Sequence, residues 1–371
     1  MIARSEQFRL ILVDRQQMLV DLIAHTPGNQ SYRDLFSEVE AALNRLDSNR
    51  FGICEVCEMN VDDQDLLANP LLRQCISHLP PEEQRQIFRD QGLAESVGGP
   101  TLLADVKGKS QQLEEPEGES STSSSPWNVM NDLNRASLIQ SQLLPASHLL
   151  LDTWEMFYEY IPAGPLGGDY CDIMGASNGE LFLFFGDAMG KGIAASMIVA
   201  RLHALFRTLQ GLDLPLVEML ERANRIFCEC VLSSGYYATI VCGRAYASGA
   251  LEVVNAGHLP PLYLSPTGAE RVLATGLPLG LFYASKYEVT RIQLQPGETL
   301  LLYTDGITEA RDTAETEYGY DRLANIATGR KHLGPQGLVR ACHEDVAAFT
   351  SKTLFSDDLT LLALRRVSSI N

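Results

Sequence analysis

The chain has 371 residues, 45% of them hydrophobic, and a formal net charge of -18. That length supports a sizeable core and more than one domain, and the acidic balance disfavours broad binding to nucleic-acid backbones. A phosphorylated substrate stays open, because bound cations can invert the field at a site.

No apolar run approaches the roughly eighteen residues of a membrane span, and MIARSEQFRLILVDRQQM lacks the long apolar stretch of a signal peptide. A cytoplasmic protein without membrane contact is the expectation. The first elements read as helices. Phe8, Ile11, Leu12, Met18, Leu19, Leu22 and Ile23 recur at helical spacing until HTPGN interrupts them. Leu35, Val39, Leu43 and Leu46 line one face of YRDLFSEVEAALNRL, so a short antiparallel helical hairpin is predicted. It leads into RFGICEVCEMNVDDQDLLANPLLRQCISH, where Cys54, Cys57, Cys75 and His78 are spaced C-x2-C-x17-C-x2-H. Two ligands three residues apart form a knuckle, and a second pair closes a tetrahedral, structural zinc site. The plainer reading is three reduced thiols and a surface histidine. Cys171, Cys228, Cys230, Cys242 and Cys342 lie scattered among apolar residues and read as small core or surface residues.

The run from Glu38 to Cys75 resembles the DksA/TraR-type zinc finger: a helix enters Phe51-Gly52-x-Cys54-x-x-Cys57, and Ala68-x-Pro70 precedes the second pair. His78 stands where that family usually has a fourth cysteine, and the short turn AHTPGNQ replaces the long acidic-tipped coiled coil of the DksA branch. A contact with RNA polymerase is correspondingly weakly supported. KGKSQQLEEPEGESSTSSSP, residues 107–126, is polar and has nothing to bury, which predicts a flexible linker between a module at 1–106 and a larger domain. From Trp127 to Leu144 a helix is expected, with Val129, Met130, Leu133, Ala136, Ile139, Leu143 and Leu144 forming an apolar stripe. That stripe would pack on the large domain, on a second copy of the chain, or on both.

GDAMGKGIAAS, residues 186–196, looks at first like a phosphate-binding loop. Only three residues separate Gly186 from Gly190-Lys191, and Gly192 stands where a hydroxyl is required, so the P-loop is excluded. What remains is Asp187 at the end of ELFLFFG, a strand expected to be buried on both faces, with Ile193, Met197, Ile198, Leu202, Leu205, Phe206 and Leu209 continuing at helical spacing. Asp305 follows GETLLLYT, Asp357 and Asp358 precede LTLLALRR, and Asp169 follows Gly167-Gly168. A single aspartate at a strand end is ordinarily a turn former or a cap. Four such cases point to one shared site of oxygen ligands, which selects magnesium or manganese over zinc.

Ala136, Ile139-Gln140 and Leu143-Leu144-Pro145, then PAGPLGGDYCDI, GDAMGKGIAASMIVARLHALFR, YYATIVCGRAYASGALEVVNAGHLPPLYL, TGLPLGL, GETLLLYTDGITEAR and SDDLTLLALRR, resemble in order the SpoIIE/RsbU-type serine phosphatases of the metal-dependent 2C-type superfamily. The resemblance implies an α+β fold, an antiparallel β-sandwich flanked by helices on both faces over 146–371, with 127–145 as a regulatory helix. It implies that Asp187 bridges two Mn2+ or Mg2+ ions, that the Ala188 carbonyl is a neighbouring ligand, and that Asp169, Asp305 and Asp357 complete the catalytic set. Asp358 is the adjacent acid, ranked below Asp357. A water activated by the ions would attack phosphorus in line, without a protein nucleophile; no Cys-x5-Arg loop is present around the large-domain cysteines. His258, in NAGHLPP, reads as a fold residue near the site rather than a general acid, and Lys191 as a solvated lysine.

The implied function is hydrolysis of phosphoserine or phosphothreonine on an anti-anti-sigma (STAS) protein in a partner-switching pathway, with a homodimer through 127–144. The competing reading is a transcription-machinery binder that docks through the zinc finger and carries an inactive phosphatase domain. The intact acidic set weighs against it.

Overall fold

The computed structural model describes residues 2–25, 28–80, 126–151, 153–176, 179–231, 235–351 and 355–368. The predicted linker lies outside them, apart from Pro126.

Two helices, α1 (Ile2–His25) and α2 (Gln30–Asp47), pack as the expected hairpin. Asn29 caps α2 by accepting from the Ser31 N–H, and Phe8, Leu12, Leu19, Val39, Ala42 and Leu46 bury the seam. A short helix α3 (Asp63–Ala68) and a 3-10 turn (Ile76–His78) follow.

The remainder is a two-layer sandwich. One sheet holds, in spatial order, β1 (His148–Leu151), β2 (Trp154–Ile161), β11 (Leu359–Arg366), β10 (Thr299–Tyr303), β7 (Leu262–Ser265) and β8 (Gly268–Arg271). The other holds β3 (Asp169–Gly175), β4 (Leu181–Ala188), β5 (Ala238–Ala245), β6 (Ala250–Ala256) and β9 (Thr290–Gln293). All the pairings are antiparallel. The period of two along a strand sorts the β4 side chains. Leu181, Leu183 and Phe185 face the inter-sheet core with Trp154, Leu302 and Leu364. Phe182 and Phe184 face outward, onto α5 (Gly192–Gln210) and α6 (Leu216–Val231). Phe184 stacks on Phe206 of α5 with ring centroids 4.5 Å apart; removing either ring would cost on the order of 3–5 kcal/mol. On the opposite outer face, α8 (Tyr320–Arg330) and α9 (Gly334–Thr350) bury Leu323, Val339 and Cys342 against Leu361 and Ala363.

The antiparallel sandwich with helices on both faces agrees with expectation. α5 is apolar and long enough to cross a membrane by length and composition, but it packs on β4 as a core helix. Its N-terminal half departs from the predicted stripe: Ile193 and Met197, four residues apart, share an exposed face, while Ala195, Ile198, Val199 and Leu202 form the face against the sheet. α4 (Pro126–Ser141) leaves Met130, Leu138 and Ile139 exposed, while Leu133 and Ala136 are half-buried.

The helical module does not stand apart. Its core is continuous with Ala274, Leu281 and Phe282 of the sandwich loops. Tyr32 donates from its hydroxyl to the Gly276 carbonyl at 3.1 Å, and the buried Arg15 guanidinium lies 4.6 Å above the Phe282 ring.

Candidate metal centre

Four strand ends place the carboxylates. β3 and β4 pair with Asp169 directly opposite Asp187. From the other sheet, β10 runs into Asp305 at the start of α7 (Asp305–Thr308), and Asp357-Asp358 lead into β11, the neighbour of β10. One cleft of about 410 Å³ collects Asp187, Asp305 and Asp357 from both layers. All three are half-buried.

Asp169 lies deeper. Its Oδ2 accepts from the Thr304 hydroxyl at 2.9 Å and from the Thr360 hydroxyl. Gly168 holds the two halves close: a Cβ there would stand 3.1 Å from both the Ala188 carbonyl oxygen and Asp187 Oδ1, and 3.2 Å from the Gly190 carbonyl oxygen. These oxygens therefore converge on one side of the Gly168 backbone.

Burial, followed by the Asp187 charge, holds the Asp169 carboxyl well above the usual range. Burial and then Asp305 and Asp357 raise Asp187 well above it too, and burial with Asp357 raises Asp305. The physical content is uncompensated like charge in a weakly solvated place. A hard cation with several oxygen ligands relieves it, so the donor set fits Mg2+ or Mn2+.

Asp358 has other partners. Its Oδ1 accepts from the Ala163 N–H at 2.8 Å, and its Oδ2 from the Gly168 N–H at 2.8 Å, the Asp169 N–H at 3.4 Å and the Tyr160 hydroxyl at 3.4 Å. Both oxygens thus fix the backbone that presents Asp169. Gly167 makes this approach possible, since a Cβ there would fall 1.9 Å from Tyr160 Oη and 2.1 Å from Asp358 Oδ2. Gln140 completes the clamp from the end of α4: its Nε2 donates to the Gly167 carbonyl at 2.7 Å and its Oε1 accepts from the Gly167 N–H at 3.1 Å.

Lys191 is exposed but not simply solvated. Its Nζ pairs with Asp357 Oδ2 at 2.6 Å and donates to the Ser356 carbonyl at 2.8 Å. His258 lines the cleft with both ring nitrogens committed: Nε2–H donates to the Tyr303 carbonyl at 3.1 Å, and Nδ1 accepts from the Thr239 hydroxyl at 2.8 Å. Burial lowers its pKa to about 4, so the ring is neutral near pH 7. This is the geometry of a fold residue.

Sequence reading passed over Thr304, Thr360 and Tyr160, although TDG and DDLT placed the two hydroxyls beside the acids. It also passed over Met18, Asp21 and Leu22 of α1, which line the same cleft.

The second cluster lies in the helical module. The ligand atoms of Cys54, Cys57, Cys75 and His78 all fall within 4.8 Å of one another. Cys57 Sγ and Cys75 Sγ are 3.8 Å apart, and His78 Nδ1 is 3.8 Å from Cys54 Sγ and 3.1 Å from Cys75 Sγ. A tetrahedral zinc with Zn–S near 2.3 Å has S–S edges of about 3.8 Å, so the cluster has the size of a zinc site. The first knuckle is held by the Cys54 N–H donating to the Met59 carbonyl at 2.8 Å. Of the other cysteines, Cys171, Cys228, Cys242 and Cys342 are buried and Cys230 is exposed.

Comparison with known proteins agrees with this architecture. Protein IcfG of Synechocystis sp. is 25% identical over 264 residues, 63% of this chain and 41% of that protein. Phosphoserine phosphatase RsbU of Bacillus subtilis is 23% identical over 243 residues, covering 64% of this chain and 71% of RsbU. The crystal structure of the RsbU and RsbW domains of Rv1364c from Mycobacterium tuberculosis superposes with a TM-score of 0.53 at 27% identity, over 62% of this chain and 64% of that one. The chain spans less than half the length of IcfG. The family model for stage II sporulation protein E (SpoIIE) matches residues 177–367, just over half of the chain and including Asp187, Asp305 and Asp357. The chain belongs to the SpoIIE family.

Proposed function

We propose that this chain is a cytoplasmic Mn2+- or Mg2+-dependent protein serine/threonine phosphatase. The observation that carries the reading is the meeting of Asp187, Asp305 and Asp357 from two sheets in one cleft, with Asp169 buried behind them. Asp187, the Ala188 carbonyl, Asp169, Asp305 and Asp357 would hold two cations. Bound cations would supply a water of lowered pKa and neutralise charge on the phosphoryl oxygens.

The chain's own residues do the arranging. Asp358, Tyr160 and Gln140 fix the Gly167–Asp169 backbone, and Thr304 and Thr360 orient the Asp169 carboxylate. Lys191 orients Asp357, and the neutral His258 ties the Thr239 hydroxyl to the Tyr303 carbonyl. Asp358 acts as an anchor in this reading rather than as a ligand.

The likeness to the phosphoserine phosphatase RsbU supports a phosphoserine substrate; the motif order shared with the SpoIIE/RsbU-type phosphatases supports an anti-anti-sigma (STAS) protein in that place, and the exposed Met130, Leu138 and Ile139 of α4 support self-association through 127–144. The Cys54, Cys57, Cys75 and His78 cluster would bind one structural zinc in a module of DksA/TraR type. Release of phosphate from a phosphoserine STAS protein by the full chain, with and without Mn2+, tests the reading. Metal-independent turnover or none contradicts it.

A further inference from the structure

Tyr237 stands between the helical module and the metal centre. Its ring packs on the core of the module and borders the metal cleft beside Met18 and Leu22 of α1. With Ile11 and Arg15 it also lines a small cavity of about 10 Å³ under the same helix. Burial, then Asp21 and then Asp187, push its phenol up to about 12, which places the ring in the field of both α1 and the metal site.

The backbone of Tyr237 continues the β4–β5 pairing past the metal ligands. Its carbonyl accepts from the Met189 N–H at 2.9 Å, directly after Asp187-Ala188. The next residue, Ala238, pairs with Ala188. On its other side Ala238 exchanges hydrogen bonds of 2.8 and 3.0 Å with Leu279. Leu281 and Phe282, just beyond, belong to the core shared with α1, and Arg15 lies over Phe282. The start of β5 is thus held on one side by the metal-site backbone and on the other by a segment packed against α1.

Strand ends fray where few buried contacts cover them. The Met189-to-Tyr237 hydrogen bond is the last of its ladder, and the module covers it. Without that cover the Asp187 carboxylate and the Ala188 carbonyl would lose a fixed position, while the inter-sheet core stays intact.

Resting on the metal-centre reading, we propose that Tyr237 is a positioning residue. Through its ring the docked α1 fixes residues 187–189 at the end of β4, so that docking of the module sets the affinity of the site for Mn2+ or Mg2+.

The test measures Mn2+ binding to the full chain by equilibrium dialysis, independently of turnover. Tyr237→Ala keeps the backbone carbonyl and removes the ring. It should weaken Mn2+ binding about 10-fold, the lower end of the loss when a group behind a metal ligand is removed. Tyr237→Phe should bind as wild type does. Met18→Ala, on the module side, should weaken binding in the same direction. The double variant should bind no more weakly than Tyr237→Ala alone, because both act through one contact. Should Tyr237→Ala fail to fold, Tyr237→Val carries the same expectation. Wild-type Mn2+ affinity in either folded single variant, Tyr237→Ala or Met18→Ala, overturns the proposal. So do losses in these two variants that add in full, or a Tyr237→Phe chain that loses as much as Tyr237→Ala. A wild-type chain that binds no Mn2+ contradicts the metal-centre reading itself, and the positioning role with it.

Discussion

Asp169 and Asp187 face each other as paired residues of adjacent antiparallel strands, one buried between two threonine hydroxyls and the other opening onto the cleft. Two carboxylates in that register repel unless a cation lies between them. Asp187→Asn should therefore lower metal-dependent turnover by at least about 100-fold, the loss expected when a preorganised charge-stabilising group is removed. It should leave the metal-free fold intact or raise its Tm, because one of the repelling charges is gone. Turnover and thermal unfolding of the same preparation check both halves.

The same charges fix a pH dependence. The Asp169, Asp187 and Asp305 carboxyls are all raised in the folded metal-free chain. A raised carboxyl contributes stability that is full below the ordinary carboxylate pKa and is lost as pH rises through the folded value. Thermal unfolding in chelator should thus show a falling contribution from this cluster from about pH 4 upward. Mn2+ should restore the loss near neutral pH, and Asp187→Asn should flatten the slope.

His258 works in the opposite sense. Its folded pKa of about 4 lies below the ordinary 6.5, so its contribution is present above pH 6.5 and disappears as pH falls toward 4. The full span corresponds to roughly 3 kcal/mol. His258→Gln should remove that acid-side dependence and lower stability, while the pH profile of kcat keeps its shape. A kcat limb that vanishes with the imidazole would identify His258 as an acid or base.

Asp357 and Asp358 are neighbours with different partners. Asp358→Asn leaves one backbone N–H among Ala163 and Gly168 facing an amide NH2 instead of an oxygen, at a cost of about 1–3 kcal/mol. Asp357→Asn should leave stability near wild type and raise the Mn2+ concentration needed for half-maximal turnover. Unfolding curves and metal titrations of the two variants separate the roles.

Much of this was legible in sequence, for identifiable reasons. Asp187 and Asp305 stood out because apolar strands end on them, and the zinc-sized cluster because ligands three residues apart must form a knuckle. The division of labour between Asp357 and Asp358 was not legible. Two adjacent acids look alike until the β2–β11 register and the Gly167 approach turn one toward backbone N–H groups. Ile193 and Met197 are apolar at helical spacing, but they lie beside the face of α5 that Ala195, Ile198, Val199 and Leu202 turn toward the sheet, a rotation that apolar periodicity alone did not resolve. The docking of α1 beside the metal cleft was the largest gap, because its apolar stripe serves both the hairpin seam and the surface around Phe282, and periodicity cannot name two partners.

The helical module offers its own check. Elemental analysis of the full chain should give about one zinc, lost in Cys54→Ser/Cys57→Ser. A zinc-free wild-type chain with its thermal stability unchanged by chelator would mean that the three cysteines are ordinary thiols.

Phosphate release from a phosphoserine protein by the full chain, wild type beside Asp187→Asn, in chelator and in Mn2+, probes the metal centre and its chemistry together. Wild type should release phosphate in Mn2+ alone, with the folded variant at background. Release that persists in chelator, or a folded Asp187→Asn chain that matches wild type, would contradict the metal-centre reading.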